Sequence, residues 1–172
     1  MMKSIFSWTV LLLGAAALLL TACAPKDDEK ALQELVEQAA KLAEEHDIKG
    51  ILELTTPDFQ AQPHGIDRQG TKGILFMVFR HYGELSVVHP RASVDLQLQD
   101  GEPTVTVPFL IVKKEQSIPG LKELYDDPER WLEKVSENAD LYRFRLKVVK
   151  KDGQWLVKTA VLERYTGTGF EP

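Results

Sequence analysis

An α+β fold, with N-terminal helices packed on a curved four-stranded antiparallel sheet, follows from three features of this chain. Between Asp28 and Asp47 apolar residues recur every three or four positions, the period of a helix that buries one face. From Leu85 onward they recur every second position, the period of a half-buried strand. Two Asp-Gly pairs, Asp100-Gly101 and Asp152-Gly153, interrupt the alternating stretches where hairpin turns belong.

The first twenty residues lie outside that fold. "MMKSIFSWTVLLLGAAALLL" places Lys3 before an uncharged run that is densest from Val10 to Leu20, the composition of a secretory signal peptide. The chain's single cysteine, Cys23, follows directly after Leu20, Thr21 and Ala22. This run resembles the lipobox of bacterial lipoproteins. The resemblance implies cleavage before Cys23, a diacylglyceryl thioether on its sulfur, and a fatty acyl group such as palmitate on the freed amine. The expected division is a signal peptide over 1–22, a lipidated tether over 23–30, one domain over 31–165 and a flexible tail over 166–172. Ala24, by the same resemblance, directs a Gram-negative lipoprotein to the outer membrane, facing the periplasm; with one membrane, the address is the outer surface of the cell envelope.

A second reading stays open. No charge occurs from Ser4 to Pro25, and at about 1.5 Å per residue such a helix is long enough to cross a bilayer. Lys3 on one side and Asp27, Asp28 and Glu29 on the other would orient it with its start inside. A third reading makes Cys23 a chance buried residue. On the first two readings the body is exported, and with no cysteine after Cys23 it has no disulfide in a compartment that permits one.

Lys3 is the leader's only charge, so 20 basic and 26 acidic residues remain, a net −6 that argues against general nucleic-acid binding. No motif asks for a cofactor. The 150 residues after position 22 suit one domain with its own core.

In chain order, "DDEKALQELVEQAAKLAEEHD" places Leu32, Leu35, Val36, Ala39, Leu42 and Ala43 on one helical face, with acids in the first turn where the helix dipole favours them. Asp47 caps a short second helix that stops before Pro57. "TPDFQAQPHGIDRQG" reads as a loop, because it holds two prolines and two glycines. Ile74 to Phe79 fits a helix or a buried strand; Asp67 as a cap favours the helix, while Gly70 and Gly73 weaken it. Val94, Leu96 and Leu98, then Val105, Val107, Phe109 and Ile111, form one hairpin. Tyr142, Phe144, Leu146 and Val148 form one strand of the other, and Trp155, Val157 and Val161 its return. Between the hairpins, residues 116–138 form a helical insertion, with Pro128 at a helix start and Trp131, Leu132 and Val135 on one face.

Helices followed by an antiparallel meander that ends in Asp152 to Lys158, "DGQWLVK", resemble the nuclear transport factor 2-like, or cystatin-like α+β, superfamily. The resemblance covers about 28–165 and implies a cone between helices and sheet; the insertion is not a standard part of it. In its isomerase-like members a carboxylate base and polar donors point into that cone. Strand parity here leaves Tyr142 and Thr159 as the inward polar groups and no carboxylate, which tells against acid–base catalysis unless Asp58 or Glu84 reaches in from a loop.

The candidate pocket is aromatic: Phe109, Tyr142 and Phe144 on the sheet, with Trp131 and Tyr125 of the insertion as a lid over the mouth or as a cap on the core. Arg143, Arg145 and Lys147, with Lys150, Lys151 and Lys158 nearby, form a candidate basic surface, either a solvated face or a contact for an acidic partner or anionic headgroups. His81, Glu84 and His89 make a thin metal hypothesis against the ordinary reading of scattered surface histidines, and no metal is expected. The expected function is that of a lipid-anchored envelope protein, bound to the membrane through acyl chains on Cys23, acting as a non-catalytic module for a small apolar ligand or an envelope protein. The alternatives are an isomerase- or hydratase-like enzyme and a structural lipoprotein without a ligand.

Overall fold

Helix α1 (Pro25–Glu44) packs through Leu32, Leu35 and Val36, all buried, against the sheet residues Val105, Val107, Val148, Val157 and Ala160. These coordinates come from a computed structural model that describes residues 25–96, 102–113, 120–127, 130, 131, 134, 135, 139–165, 170 and 171. The lipobox residues Leu20, Thr21 and Ala22, together with Cys23, lie outside them, as do Leu98 and the Asp100-Gly101 turn. The expected tether over 23–30 is shortened, because α1 already begins at Pro25. Asp28 is docked on the sheet, accepting from Lys150 Nζ at 2.6 Å and from the Trp155 indole at 3.3 Å.

Helix α1 ends in a Schellman arrangement: the Asp47 N–H donates to Leu42 O and the His46 N–H to Ala43 O. His46 takes the left-handed position with φ 56, and its ring stacks on Phe79 at 4.7 Å. Asp47 then caps α2 (Ile48–Glu53), and Asp67 caps α3 (Arg68–Tyr82). In both, the aspartate oxygen accepts from a glycine three residues on, Gly50 at 2.9 Å and Gly70 at 2.8 Å. A Cβ on Gly50 would meet Asp47 Oδ2 at 2.6 Å, and one on Gly70 would meet Ile66 Cγ2 at 2.6 Å. Gly70 therefore belongs to the start of α3, and the helical reading of 68–82 holds.

The sheet is mixed and larger than the four strands expected. Its order is β1-β6-β5-β4-β2, with β3 also on β4 and β7 on β6. Here β1 is Thr55–Gln62, β2 Leu85–Val88, β3 Ser93–Asp95, β4 Thr104–Lys113, β5 Ala139–Lys151, β6 Gln154–Tyr165 and β7 Phe170–Glu171. The first part of the segment read as a loop, up to Gln62, is β1, an edge strand running parallel to β6 with Thr55 beside Val157 and Gln62 beside Val161, while residues 63–65 form a turn. An edge tolerates Pro57, whose missing N–H has no partner to lose there. Phe59 and Thr55 are buried all the same. The end of the tail likewise pairs, Phe170 opposite Tyr165 and Glu171 opposite Arg164.

Hairpin β5–β6 turns at Asp152-Gly153 as the sequence predicts, both residues at positive φ, 52 and 82. The return strand then slips by one at Lys158. Val148 pairs with Val157, but Lys147 pairs with Thr159, and the offset persists to the strand's end. Parity beyond Lys158 is inverted. Thr159 and Val161, expected inward, share the faces of Lys147 and Arg145, whereas Ala160 and Leu162 sit inward with Leu146 and Phe144.

The insertion contains α4 (Leu121–Asp126) and helical residues 130, 131, 134 and 135. Trp131 and Val135 are buried against Leu110 and Val112, with Val88 and Leu141 alongside. Leu110 and Leu141 alternate with Phe109 and Tyr142, so the insertion covers the sheet face opposite α1.

Candidate functional site

The inner face of β5 projects Asp140, Tyr142 and Phe144 in succession, two residues apart. Phe109 pairs with Tyr142 across β4 and stacks on both neighbours, at 5.7 Å to Tyr142 and 4.8 Å to Phe144. Leu162 opposite Phe144 extends this wall and stays 41% exposed, Tyr142 and Phe144 are half-buried, and Phe109 is buried. Three pocket residues named from the sequence thus come together. Trp131 does not join them: it belongs to the opposite face, its indole donating to Gly120 O at 3.1 Å. Tyr125 lies on α4 in the same insertion. Trp131 is a cap on the far side of the sheet, not a lid over the aromatic wall.

A polar group stands at the end of the aromatic wall. Asp140 accepts from the Tyr82 hydroxyl through Oδ2, at 2.5 Å, and from Arg164 Nη2 through Oδ1, at 3.0 Å. Tyr82 comes from the last turn of α3, which Gly83 ends at φ 65, and Arg164 lies opposite Tyr142. Burial first, then the bonds to Asp140 and Tyr142, hold the Tyr82 phenol well above the ordinary tyrosine range. The phenol is therefore a fixed proton donor to Asp140 at any physiological pH. The expectation of no inward carboxylate is overturned by Asp140. Asp140 stands two residues before Tyr142 on β5, so it shares the inward parity of Tyr142 and Phe144.

Both oxygens of Asp140 are engaged, so its first role is to hold Tyr82 and Arg164 in place. Arg164, two-thirds exposed, keeps further N–H groups for a ligand, and the Tyr82 oxygen keeps a lone pair. An apolar, ring-stacked wall ending in a donor–acceptor pair suits a flat apolar molecule with one polar end. Neither loop candidate stands in this group: Asp58 is exposed on β1, and Glu84 is exposed beyond the end of α3.

The candidate basic surface is not a bare cationic stripe. Glu163, 2% exposed, lies between Arg143 and Arg145, with its Oε1 at 2.7 Å from Arg145. Lys147 and Lys158 share Glu102, at 3.5 and 2.5 Å. These bonds hold the Glu102 carboxyl below its ordinary range, the Lys158 hydrogen bond being the largest cause. Lys150 points to the other face, toward Asp28 and the Trp155 ring. Sequence parity missed Glu163 because only the slip at Lys158 brings it opposite Arg143.

Among the described residues no three of His, Cys, Asp and Glu group as metal ligands. His81 is exposed on α3, and His89 Nδ1 lies 2.9 Å from Pro90 O. A separate surface groove of about 810 Å³ runs between α1 and the β2–β3 connection, where Arg91 donates to Gln33 at 2.8 Å.

Solved structures share this architecture. A protein of unknown function with a cystatin-like fold from Nostoc punctiforme matches with TM-score 0.60 at 13% identity, over 81% of this chain and 92% of its own. A nuclear transport factor 2-like protein with a cystatin-like fold from Novosphingobium aromaticivorans matches with TM-score 0.58 at 12% identity, over 97% and 94%. A provisionally named scytalone dehydratase from the same organism matches with TM-score 0.59 at 15% identity, over 84% and 92%. No protein-family model matches the chain, and no curated protein matches its sequence. The fold is nuclear transport factor 2-like, that is, cystatin-like α+β.

Proposed function

We propose that this chain is a lipid-anchored envelope protein whose inner sheet face binds a small, flat, largely apolar molecule by its aromatic wall and holds that molecule's polar end at Tyr82 and Arg164. The observation that carries the reading is the ring stack Phe109–Tyr142–Phe144, in which Tyr142 and Phe144 stay half-buried, beside the Asp140 cluster. The lipobox before Cys23 supports the anchor and, with Ala24, an outer-membrane address facing the periplasm in a Gram-negative host. An envelope protein as the occupant of the opposite sheet face is less well supported, because Arg143, Arg145, Lys147 and Lys158 already share two carboxylates.

One observation favours an enzyme as the second reading. Asp140 and Tyr82 put a carboxylate and a permanent donor on the inner wall, and neighbours of this fold include the provisionally named dehydratase and a provisionally named aromatic ring hydroxylase. Intact-mass measurement of the protein purified from its own host membranes tests both the anchor and the ligand. The expected result is an N-terminal, acylated Cys23 and a co-purifying small molecule that Phe144→Ala releases. A chain beginning at Met1 overturns the anchor; a wild type free of ligand overturns the binding role. Conversion of the recovered molecule by wild type but not by Asp140→Asn would establish the enzyme instead.

A further inference from the structure

Helix α3 carries an apolar strip that the fold leaves uncovered. Ile74, Phe76 and Met77 are 46%, 57% and 61% exposed, while Phe79 on the other side of the helix is buried. Gly73 lies on the same side, with nothing within 4 Å of the place its Cβ would occupy, so the strip is flat and open. Scattered exposed apolar residues need no explanation, but Ile74 and Met77, three apart, share a face, and Phe76 stands at the other edge of the same exposed half of the helix.

The charge around this strip selects its occupant. Residues 68–82, "RQGTKGILFMVFRHY", contain two arginines and a lysine and no acidic residue, in a chain of net charge −5. Lys72 and Arg80 flank the strip, are exposed, and have no ion-pair partner among the described residues. Most cations of β5 and β6 differ in this respect, since Arg143, Arg145, Lys147, Lys150, Lys158 and Arg164 meet carboxylates, Lys151 at the hairpin turn being the exception. Exposed aromatic and aliphatic side chains between unpaired cations are the composition of a helix that lies in a membrane interface. An anionic headgroup layer would satisfy Lys72 and Arg80 while the acyl boundary receives Ile74, Phe76 and Met77.

We propose that the exposed face of α3 docks on an anionic phospholipid surface. A tether at Cys23 would raise the local concentration of this helix at the bilayer, but the docking does not require it, so the two ideas fail separately.

The test uses the full chain with Cys23→Ser and Met77→Cys, carrying an environment-sensitive fluorophore at position 77. It is mixed with vesicles of phosphatidylglycerol in phosphatidylcholine, or of phosphatidylcholine alone. The label reports immersion of α3 itself, whatever the leader does. The expected result is a blue shift, and quenching by headgroup-level nitroxide lipid, on the anionic vesicles only. Adding Lys72→Glu and Arg80→Glu, or Phe76→Ser, should weaken the response about ten-fold or more; these positions are exposed, and circular dichroism checks that the fold survives. A label that stays in water on vesicle-bound chain overturns the proposal, as does an equal response on phosphatidylcholine alone. A lipid-independent shift that grows with chain concentration also overturns it, and assigns the strip to a second copy.

Discussion

Glu163 shows how much one side chain can depend on a single backbone irregularity. It is nearly inaccessible, yet it is charged and answers two guanidinium groups, Arg143 at 31% and Arg145 at 55% side-chain exposure. Removing the shared carboxylate leaves two like charges facing each other, whereas removing one arginine leaves a pair. We expect Glu163→Gln to cost about 2 kcal/mol, the buried-pair value being discounted for the exposed partners, and Arg145→Gln about 0.5 kcal/mol. Urea unfolding of both variants decides it; equal costs would mean that Glu163 is not the common counter-charge. Asp140 is the companion case on the inner face, where the carboxylate orders Tyr82 and Arg164. Neither role is written in the local sequence, because the partners lie 18 to 58 residues away.

Among the elements, α3, β1 and the insertion depend most on contacts outside their own sequence. Gly70 weakens the helical reading, yet its N–H donates to the Asp67 cap and the Ile66 side chain leaves no room for a Cβ there. Strand β1 was hidden by Pro57 and Pro63 and by the absence of alternation, since an edge strand needs only one hydrogen-bonded side. The described residues of the insertion, 121–126 with 130, 131, 134 and 135, are helical, but parity cannot say which face of a sheet a connection returns to. Its burial on the far face gives a clear expectation. Trp131→Ala should cost about 3 kcal/mol through the lost contacts with Leu110 and Val112, read from the unfolding midpoint. Ligand carried by the Phe109–Tyr142–Phe144 wall should be retained at native-state conditions; a parallel loss of ligand in the folded variant would return Trp131 to the pocket.

For the molecule as a whole, ion pairs join residues far apart along the chain. Asp28 near the start of α1 meets Lys150 of β5, and Glu102 meets Lys158 of β6. Hydrogen bonds from these lysines hold both carboxyls below their ordinary values. A carboxyl lowered by folding contributes stability that is fully present above its unfolded value, about 4, and is lost as pH falls through the folded value. Unfolding should therefore become easier on acidification below about pH 4, with little change between pH 5 and 8. Chemical unfolding across that range checks the sign, and the double variant Asp28→Asn, Glu102→Gln should flatten the acid limb. The Tyr82 phenol, raised by burial, takes no part in this window.

What the sequence determined by itself was whatever depends on neighbours along the chain. Periodicity marked α1, Asp47 and Asp67 marked the caps, Asp152-Gly153 marked the hairpin, and the run Leu20 to Cys23 carried the lipobox resemblance. Tertiary structure alone decided the one-residue slip at Lys158, the parallel edge strand β1, the far-face insertion and the meeting of Tyr82 with Asp140. The physical reason is the two-residue period of a strand: one inserted residue sends every later side chain to the other face, and nothing local to the sequence records where that insertion falls.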